Sequence, residues 1–275
     1  MNPLAFDFMQ RAIVAAALVG LVAPLIGVFL VQRRLALLGD GMGHVALTGV
    51  GLAFLVGSAP VPTALVVAAA GAVVLELIRA RSRTAGDLAL ALVFYGGISV
   101  GVLLASLATG ASTALNQYLF GSLSTVSTAD MWWLVGAVAV VLIIIAVFGR
   151  DLFLMALDSD LAHVQGVRTT AVSMLLTVLA SVSVVVGMRT VGLLLVSAIM
   201  IVPVAAAQQF TRSFRSTAGV AVAIGVAASV VGLGSSFYLD TPPGPTIVIL
   251  ALVVFIVSAS IAVPVRRLRR RAHPS

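Results

Sequence analysis

The sequence contains no cysteine and no lysine, and only 9% of its 275 residues are charged. Without cysteine there is no disulfide framework and no thiolate metal ligand. Without lysine there is no G-x-x-x-x-G-K-[ST] phosphate loop, so ATP hydrolysis has to be supplied by another protein if it drives this one. HExxH, GxSxG and paired-Asp catalytic motifs are also missing, which argues against an intramembrane enzyme. Soluble domains carry about 25% charged residues. The deficit here runs along the whole chain, which is 61% hydrophobic with a mean hydropathy of +1.21. A chain of this kind is an integral membrane protein.

The charge that is present is basic. The net charge is +7, and all sixteen basic residues are arginine. They fall in short clusters between apolar segments: Arg33/Arg34, Arg79/Arg81/Arg83, Arg150 with Arg168, Arg212/Arg215, and 266–271. Orientation in a bilayer explains that placement better than nucleic-acid binding, and no nucleic-acid partner is expected. The opening "MNPLAFDFMQR" has no basic run ahead of its first apolar stretch, so residues 1–10 read as a short amphipathic lead-in rather than a signal peptide.

A helix needs about 20 apolar residues to cross a bilayer core. Nine segments qualify as candidates: 12–31, 35–57, 63–78, 88–108, 131–149, 169–187, 190–207, 217–239 and 246–265. Segment 63–78 is short enough to be partly re-entrant, so the expectation is eight or nine spans. Nine crossings with the C-terminus inside place every arginine cluster in the cytoplasm and the N-terminus outside. The fold class expected is all-α: a polytopic transmembrane helical bundle forming one domain over residues 1–275. The basic run at 266–275 reads as a cytoplasmic tail that stops transfer, and His273 within it as incidental.

Two polar stretches exceed turn length. The outer one, 109–130, contains "NQYLFG", whose Tyr118 and Phe120 read as interfacial aromatics or as part of a receiving surface. The inner one, 150–168, contains "LDSDLAHVQGVRT". There Asp158, Ser159 and Asp160 are good N-cap material, and Gly166 can end a short helix in the left-handed conformation. This predicts a short amphipathic cytoplasmic helix. It either lies on lipid or docks a partner protein, and its acidic start disfavours an anionic leaflet.

Inside the apolar stretch "LALLGDGMGHVALTGVGLAFLVG" stand Asp40 and His44. A carboxylate within a membrane helix costs about 2.5–3.5 kcal/mol, so it normally faces a bundle interior or a water-filled path and suggests function. Asp40, His44 and Thr48 are spaced i, i+4, i+8 and share one face. A carboxylate with an imidazole suits zinc, manganese or iron. The pair also fits an ion pair to Arg33 or Arg34, a hydrogen bond between helices, or a proton relay. One pair on one helix cannot fill a coordination sphere, so a metal would need ligands from elsewhere. Gly39 and Gly43 form a GxxxG that admits a close neighbouring helix. Glu76, one turn before Arg79, predicts an ion pair at the inner boundary. Pro203 predicts a kink, serving as a hinge candidate or as packing.

Five stretches in register carry a resemblance: "RRLALLGDGMGHVALTGVGLA", "YLFGSLSTVS", "DSDLAHVQGV", "VGLLLVSAIMIVPVAAAQQF" and "FYLDTPPGPTIVI". Together they cover nearly the whole chain, which resembles the metal-type ABC importer permeases, most closely the bacterial high-affinity zinc permease. The resemblance implies a homodimer in the bacterial inner membrane with its pathway at the subunit interface. It also implies cytoplasmic ATP-binding subunits below, an extracytoplasmic solute-binding protein above, and no cofactor held by the chain. Asp40 and His44 fall on the family's Asp and His in the translocation path. Asp158, Asp160, Leu161, Ala162 and Gly166 fall on its ATPase-coupling loop. Thr48 departs from the family pattern, so its reading as path-lining rests on helical spacing alone. Zinc is the expected cargo, with manganese or iron as the alternative. A siderophore- or cobalamin-type permease and an ion-coupled secondary transporter are the more distant readings.

Overall fold

A computed structural model describes residues 6–81, 86–108, 117–121 and 127–272, with the side chains of 86–87, 190 and 263–272 excepted. Residues 1–5 of the lead-in, Arg83, Asn116 and His273 lie outside the described residues, as do the side chains of 266–271. Among the described residues there is no strand. The helices are α1 (Asp7–Gln32), α2 (Leu38–Val56), α3 (Pro60–Arg81), α4 (Gly86–Leu107), α5 (Thr128–Leu157), α6 (Ser159–Val164), α7 (Thr169–Val191), α8 (Leu193–Ala207), α9 (Phe214–Leu239) and α10 (Pro243–Ala272).

Eight of these are long and apolar enough to cross a membrane; α8 is apolar but has only 15 residues. At 1.5 Å per residue it extends about 22 Å, short of a core of about 30 Å. The segment expected to be short, 63–78, is instead a full helix of 22 residues. It starts early, with Pro60 in its first turn where the missing N–H costs nothing. It runs on through Arg79 and Arg81, whose charges suit the negative end of the helix dipole. The break falls later, at Gly192, where φ is +92° and α7 turns back into α8. A Cβ at Gly192 would lie 2.5 Å from the Phe120 carbonyl carbon, and one at Gly121 (φ +76°) would lie 2.5 Å from that of Val191. Two glycine backbones thus let the segment 117–121 cross the α7–α8 corner.

Close contacts fix the helix directions. Phe6 meets Phe237, Gly20 meets Gly225, and Phe29 meets Phe214, so α1 and α9 are antiparallel. Gly41 meets Leu90, Gly97 meets His44, and Gly101 meets Thr48, so α2 and α4 rise side by side in the same direction. The ends carrying Arg33, Arg79 and Arg168 come together, as the alternation of basic clusters requires. The core is formed mainly by α1, α2, α7 and α8, and many apolar residues of α4, α5 and α10 face outward. In a membrane chain that outer surface meets lipid or protein.

The lead-in is not separate from the bundle, because α1 begins at Asp7 and continues straight into the first span. The stretch 150–168, expected to be cytoplasmic, opens with the last turns of α5, which ends at Leu157, and α6 follows at once.

Candidate metal-cation site

The site is built on α2. Gly39 and Gly43 lie on the flank that α8 approaches: a Cβ on Gly39 would be 3.2 Å from Met200 Sδ, and one on Gly43 would be 1.9 Å from Leu193 Cδ1. On the other flank Gly41 meets Leu90 of α4. Between these flanks, at helical spacing, α2 carries Asp40 and His44 on one face, with Phe94 of α4 against the imidazole. Asp40 lies in the first turn of α2, nearer its start than the middle of the 35–57 stretch. It lines an open groove of about 430 Å³ together with Leu37, Leu90, Ala91, Phe94 and Tyr95.

His44 Nε2 stands 3.9 Å from Asp40 Oδ1, too far for a hydrogen bond. The His44 side chain is 13% exposed and that of Asp40 33%. The imidazole sits edge-on to Phe94, ring centroids 4.7 Å apart, and its Nδ1 is buried with no hydrogen-bond partner among the described residues. A cation bonded to both groups at about 2.1 Å and a tetrahedral angle would hold them about 3.4 Å apart. The pair is therefore spaced to be bridged after a small closure, and it is not locked to itself. Neither side chain reaches Arg33 or Arg34 in an ion pair among the described residues. Among those residues no third His, Cys, Asp or Glu joins the pair.

Thr48, the third member of the stripe, donates its hydroxyl to Gly97 O at 2.9 Å. That bond seams α2 to α4 where Gly97 lets the two backbones touch. Pro203 is buried within α8, whose helix continues past it to Ala207.

The coupling candidates lie just before the end of α7 that meets Arg33 and Glu76. Asp158 caps α6: its Oδ1 accepts from the N–H of Asp160 at 2.8 Å and of Leu161 at 3.1 Å. Gly166 has φ +83° and ends the turn that follows. Ala162 is fully buried and anchors the helix, while Leu161 and Val164 are 49% and 83% exposed. This short helix therefore presents apolar side chains outward beside an acidic N-terminus.

Two polar networks had only partial signals in the sequence. Near the end of α7, Arg189 donates to Tyr118 Oη at 2.6 Å and to Asp130 Oδ2 at 3.3 Å, and its guanidinium stacks over the Tyr118 ring. Burial pushes the Tyr118 hydroxyl pKa up, opposed by Arg189, so it stays protonated. Asp130 also closes a capping box with Ser127 at the start of α5. Tyr118 is thus buried in an ionic network rather than standing free as an interfacial aromatic. Near the end of α3, Glu76 pairs with Arg79 at 2.6 Å, as its spacing predicts. It also binds residues on α7, which spacing along α3 cannot reveal.

The described residues thus form a helical bundle with eight helices long and apolar enough to cross a membrane, and α2 brings a carboxylate and an imidazole within 3.9 Å of each other. The chain belongs to the ABC 3 transport family, which it matches over residues 5–262. It is 32% identical over 266 residues to the manganese import system permease protein ScaB of Streptococcus gordonii, covering 97% of this chain and 95% of that one. It is 31% identical over 252 residues to the manganese transport system membrane protein MntC of Halalkalibacterium halodurans, covering 92% and 86%. Its fold matches PsaBC from Streptococcus pneumoniae, solved in complex with Fab, with a TM-score of 0.83, 31% identity, and coverage of 92% and 91%. The chain is a multi-pass bacterial membrane protein and a metal-type ABC permease. The two permeases named for manganese support the manganese alternative better than the zinc reading.

Proposed function

We propose that this chain is the membrane subunit of an ATP-driven importer whose cargo is manganese. The observation that carries the reading is the Asp40–His44 pair, with Asp40 open to a groove against α4, in a chain whose relatives bear the name of manganese permeases. One oxygen and one nitrogen ligand per chain leave a divalent cation under-coordinated. A second copy of the chain, contributing the same pair across a two-fold axis, would supply the missing donors. The resulting site would be weak, as a conducting site must be, because the cation has to leave as well as enter. The cation is substrate here, and the chain holds no cofactor.

Energy comes from a separate ATPase, which docks on α6. The exposed Leu161 and Val164, held in place by the Asp158 cap and the buried Ala162, are the surface for it. A solute-binding protein delivers the cation from outside. Pro203 is the hinge candidate within α8, and Thr48 lines the path only at its edge, since its hydroxyl is already held by Gly97. Irving–Williams ordering favours zinc over manganese at any nitrogen/oxygen site, so selectivity has to come from geometry and delivery.

The test is uptake in cells lacking their own manganese and zinc importers, with this chain expressed beside its ATPase and binding protein. Manganese accumulation well above that of zinc is expected. Zinc uptake without manganese uptake would overturn the choice of cargo.

A further inference from the structure

Glu76 is the chain's single glutamate, and it is buried, only 4% exposed, near the cytoplasmic end of α3. Both of its oxygens are engaged. Oε1 accepts from Arg79 Nη1 at 2.6 Å and from Thr177 Oγ1 at 2.7 Å. Oε2 accepts from Ser173 Oγ at 2.8 Å, and Ser173 Oγ in turn accepts from Arg33 Nη1 at 2.7 Å. Burial lowers the Arg33 pKa, the charge of Arg79 lowers it further, and Glu76 opposes both, yet an arginine remains charged throughout. The set is thus a connected, charged and hydrogen-bonded network that ties the end of α1, the end of α3 and the first turns of α7.

Its place in the chain matters more than its strength. Burying charge is seldom the cheapest way to hold helices together, since apolar residues of similar volume often do so as well. What charge and hydrogen bonds add is a fixed mutual geometry. Ser173 stands near the start of α7, just after α6 and the Gly166 turn. Arg33 caps α1, and directly after it come Arg34, at φ +59°, and the tight turn that leads into Asp40 on α2. Leu35 N donates back to Leu30 O at 2.8 Å, so that turn is itself closed. The network therefore joins the segment that follows the docking helix to the segment that precedes the cation pair, with Glu76 as the bridge.

We propose that Glu76 is a positioning residue that couples α6 to α2. Displacement of α6 carries the base of α7, Ser173 passes it to Arg33, and the α1–α2 turn moves Asp40 and His44 with it. Glu76 keeps Ser173 and Arg33 in one register during that movement. Arg79 neutralises its charge, and Thr177 holds the same oxygen, Oε1, against α7. This inference rests on the proposed function, because it supplies the link between ATPase and cation path which that function needs.

The test uses the complete importer in proteoliposomes, with manganese uptake and ATP hydrolysis measured in the same sample. Loss of a hydrogen bond to a charged group is a change of about tenfold or more. Glu76→Gln and Ser173→Ala are expected to lower the manganese moved per ATP by about that factor, with ATP hydrolysis kept within about twofold of wild type. Ser173→Thr keeps the hydroxyl and is expected to keep the wild-type ratio. Where Glu76→Gln fails to assemble, Ser173→Ala decides. An unchanged ratio overturns the inference, whether both rates are untouched or both fall with the yield of complex, since a packing role predicts only parallel losses. Wild-type complex that moves no manganese overturns the functional reading, and the coupling inference falls with it.

Discussion

Gly97→Ala is the substitution whose consequence the structure fixes most closely. Gly97 lies where α4 touches the backbone of α2 beside the cation pair. A Cβ there would sit 2.8 Å from Val45 N, 2.9 Å from the His44 carbonyl carbon and 3.1 Å from His44 O. All three are backbone atoms of a packed helix, so no flexible side chain can swing aside. To reach ordinary contact α4 must withdraw by roughly 0.6 Å, which also stretches the 2.9 Å bond from Thr48 Oγ1 to Gly97 O. Overpacking of this kind costs about 1–3 kcal/mol. The neighbouring Gly96 is the control, because a Cβ there meets nothing within 4 Å, and Gly96→Ala is expected to be neutral or to gain up to about 1 kcal/mol of helix propensity. The assay is thermal stability of each purified variant in detergent, alongside uptake at matched expression. Gly97→Ala should be clearly less stable and impaired in transport, and Gly96→Ala should resemble wild type. Equal behaviour of the two, or a larger loss at Gly96, would refute the close α2–α4 contact.

Three further outcomes follow from local geometry. Gly192→Ala faces both a backbone at φ +92° and a Cβ 2.5 Å from the Phe120 carbonyl carbon, so little folded protein is expected by size-exclusion of solubilised membranes. Asp158→Ala removes the N-cap of α6 at a cost of about 1 kcal/mol, and should reduce the ATPase that co-purifies with the permease while leaving the bundle's thermal stability unchanged. Asp240→Gly relieves a left-handed residue at φ 52° that ends α9, and should raise the melting temperature slightly, by the equivalent of up to about 1 kcal/mol.

Much of this molecule is legible in the sequence because the bilayer imposes a simple rule. Apolar runs of the right length must be helices, and arginine clusters at alternate ends set their direction. The Asp40–His44 pair stands out for the same reason, as charge where charge is expensive. The Asp158 cap and the Gly166 turn are local, so a short stretch of sequence reveals them. The short α8 is harder to see. Hydropathy runs unbroken from 190 to 207, and only the positive-φ Gly192, held against the backbone of Phe120 and Gly121, shows where the chain folds back. Glu76 illustrates another limit. Its pairing with Arg79 is helical spacing, but Ser173, Thr177 and Arg33 lie on other helices, and no periodicity within α3 points to them. Thr48 shares the face of the cation pair, yet its hydroxyl is taken by a backbone carbonyl of α4. Zinc against manganese is not written in an Asp and a His at all, because both metals accept that donor set.

The central claim is that Asp40 and His44 carry the cation, and uptake by Asp40→Asn and His44→Ala in the complete importer tests it most directly. Asp40 borders an open groove and His44 packs against Phe94 beside it, with the two side chains not hydrogen-bonded to each other, so both variants should assemble with the ATPase in normal yield. The account predicts that each abolishes manganese uptake while assembly persists, and that Thr48→Val, which touches only the α2–α4 seam, retains measurable transport. Normal uptake by both Asp40→Asn and His44→Ala would contradict it and reduce the pair to packing.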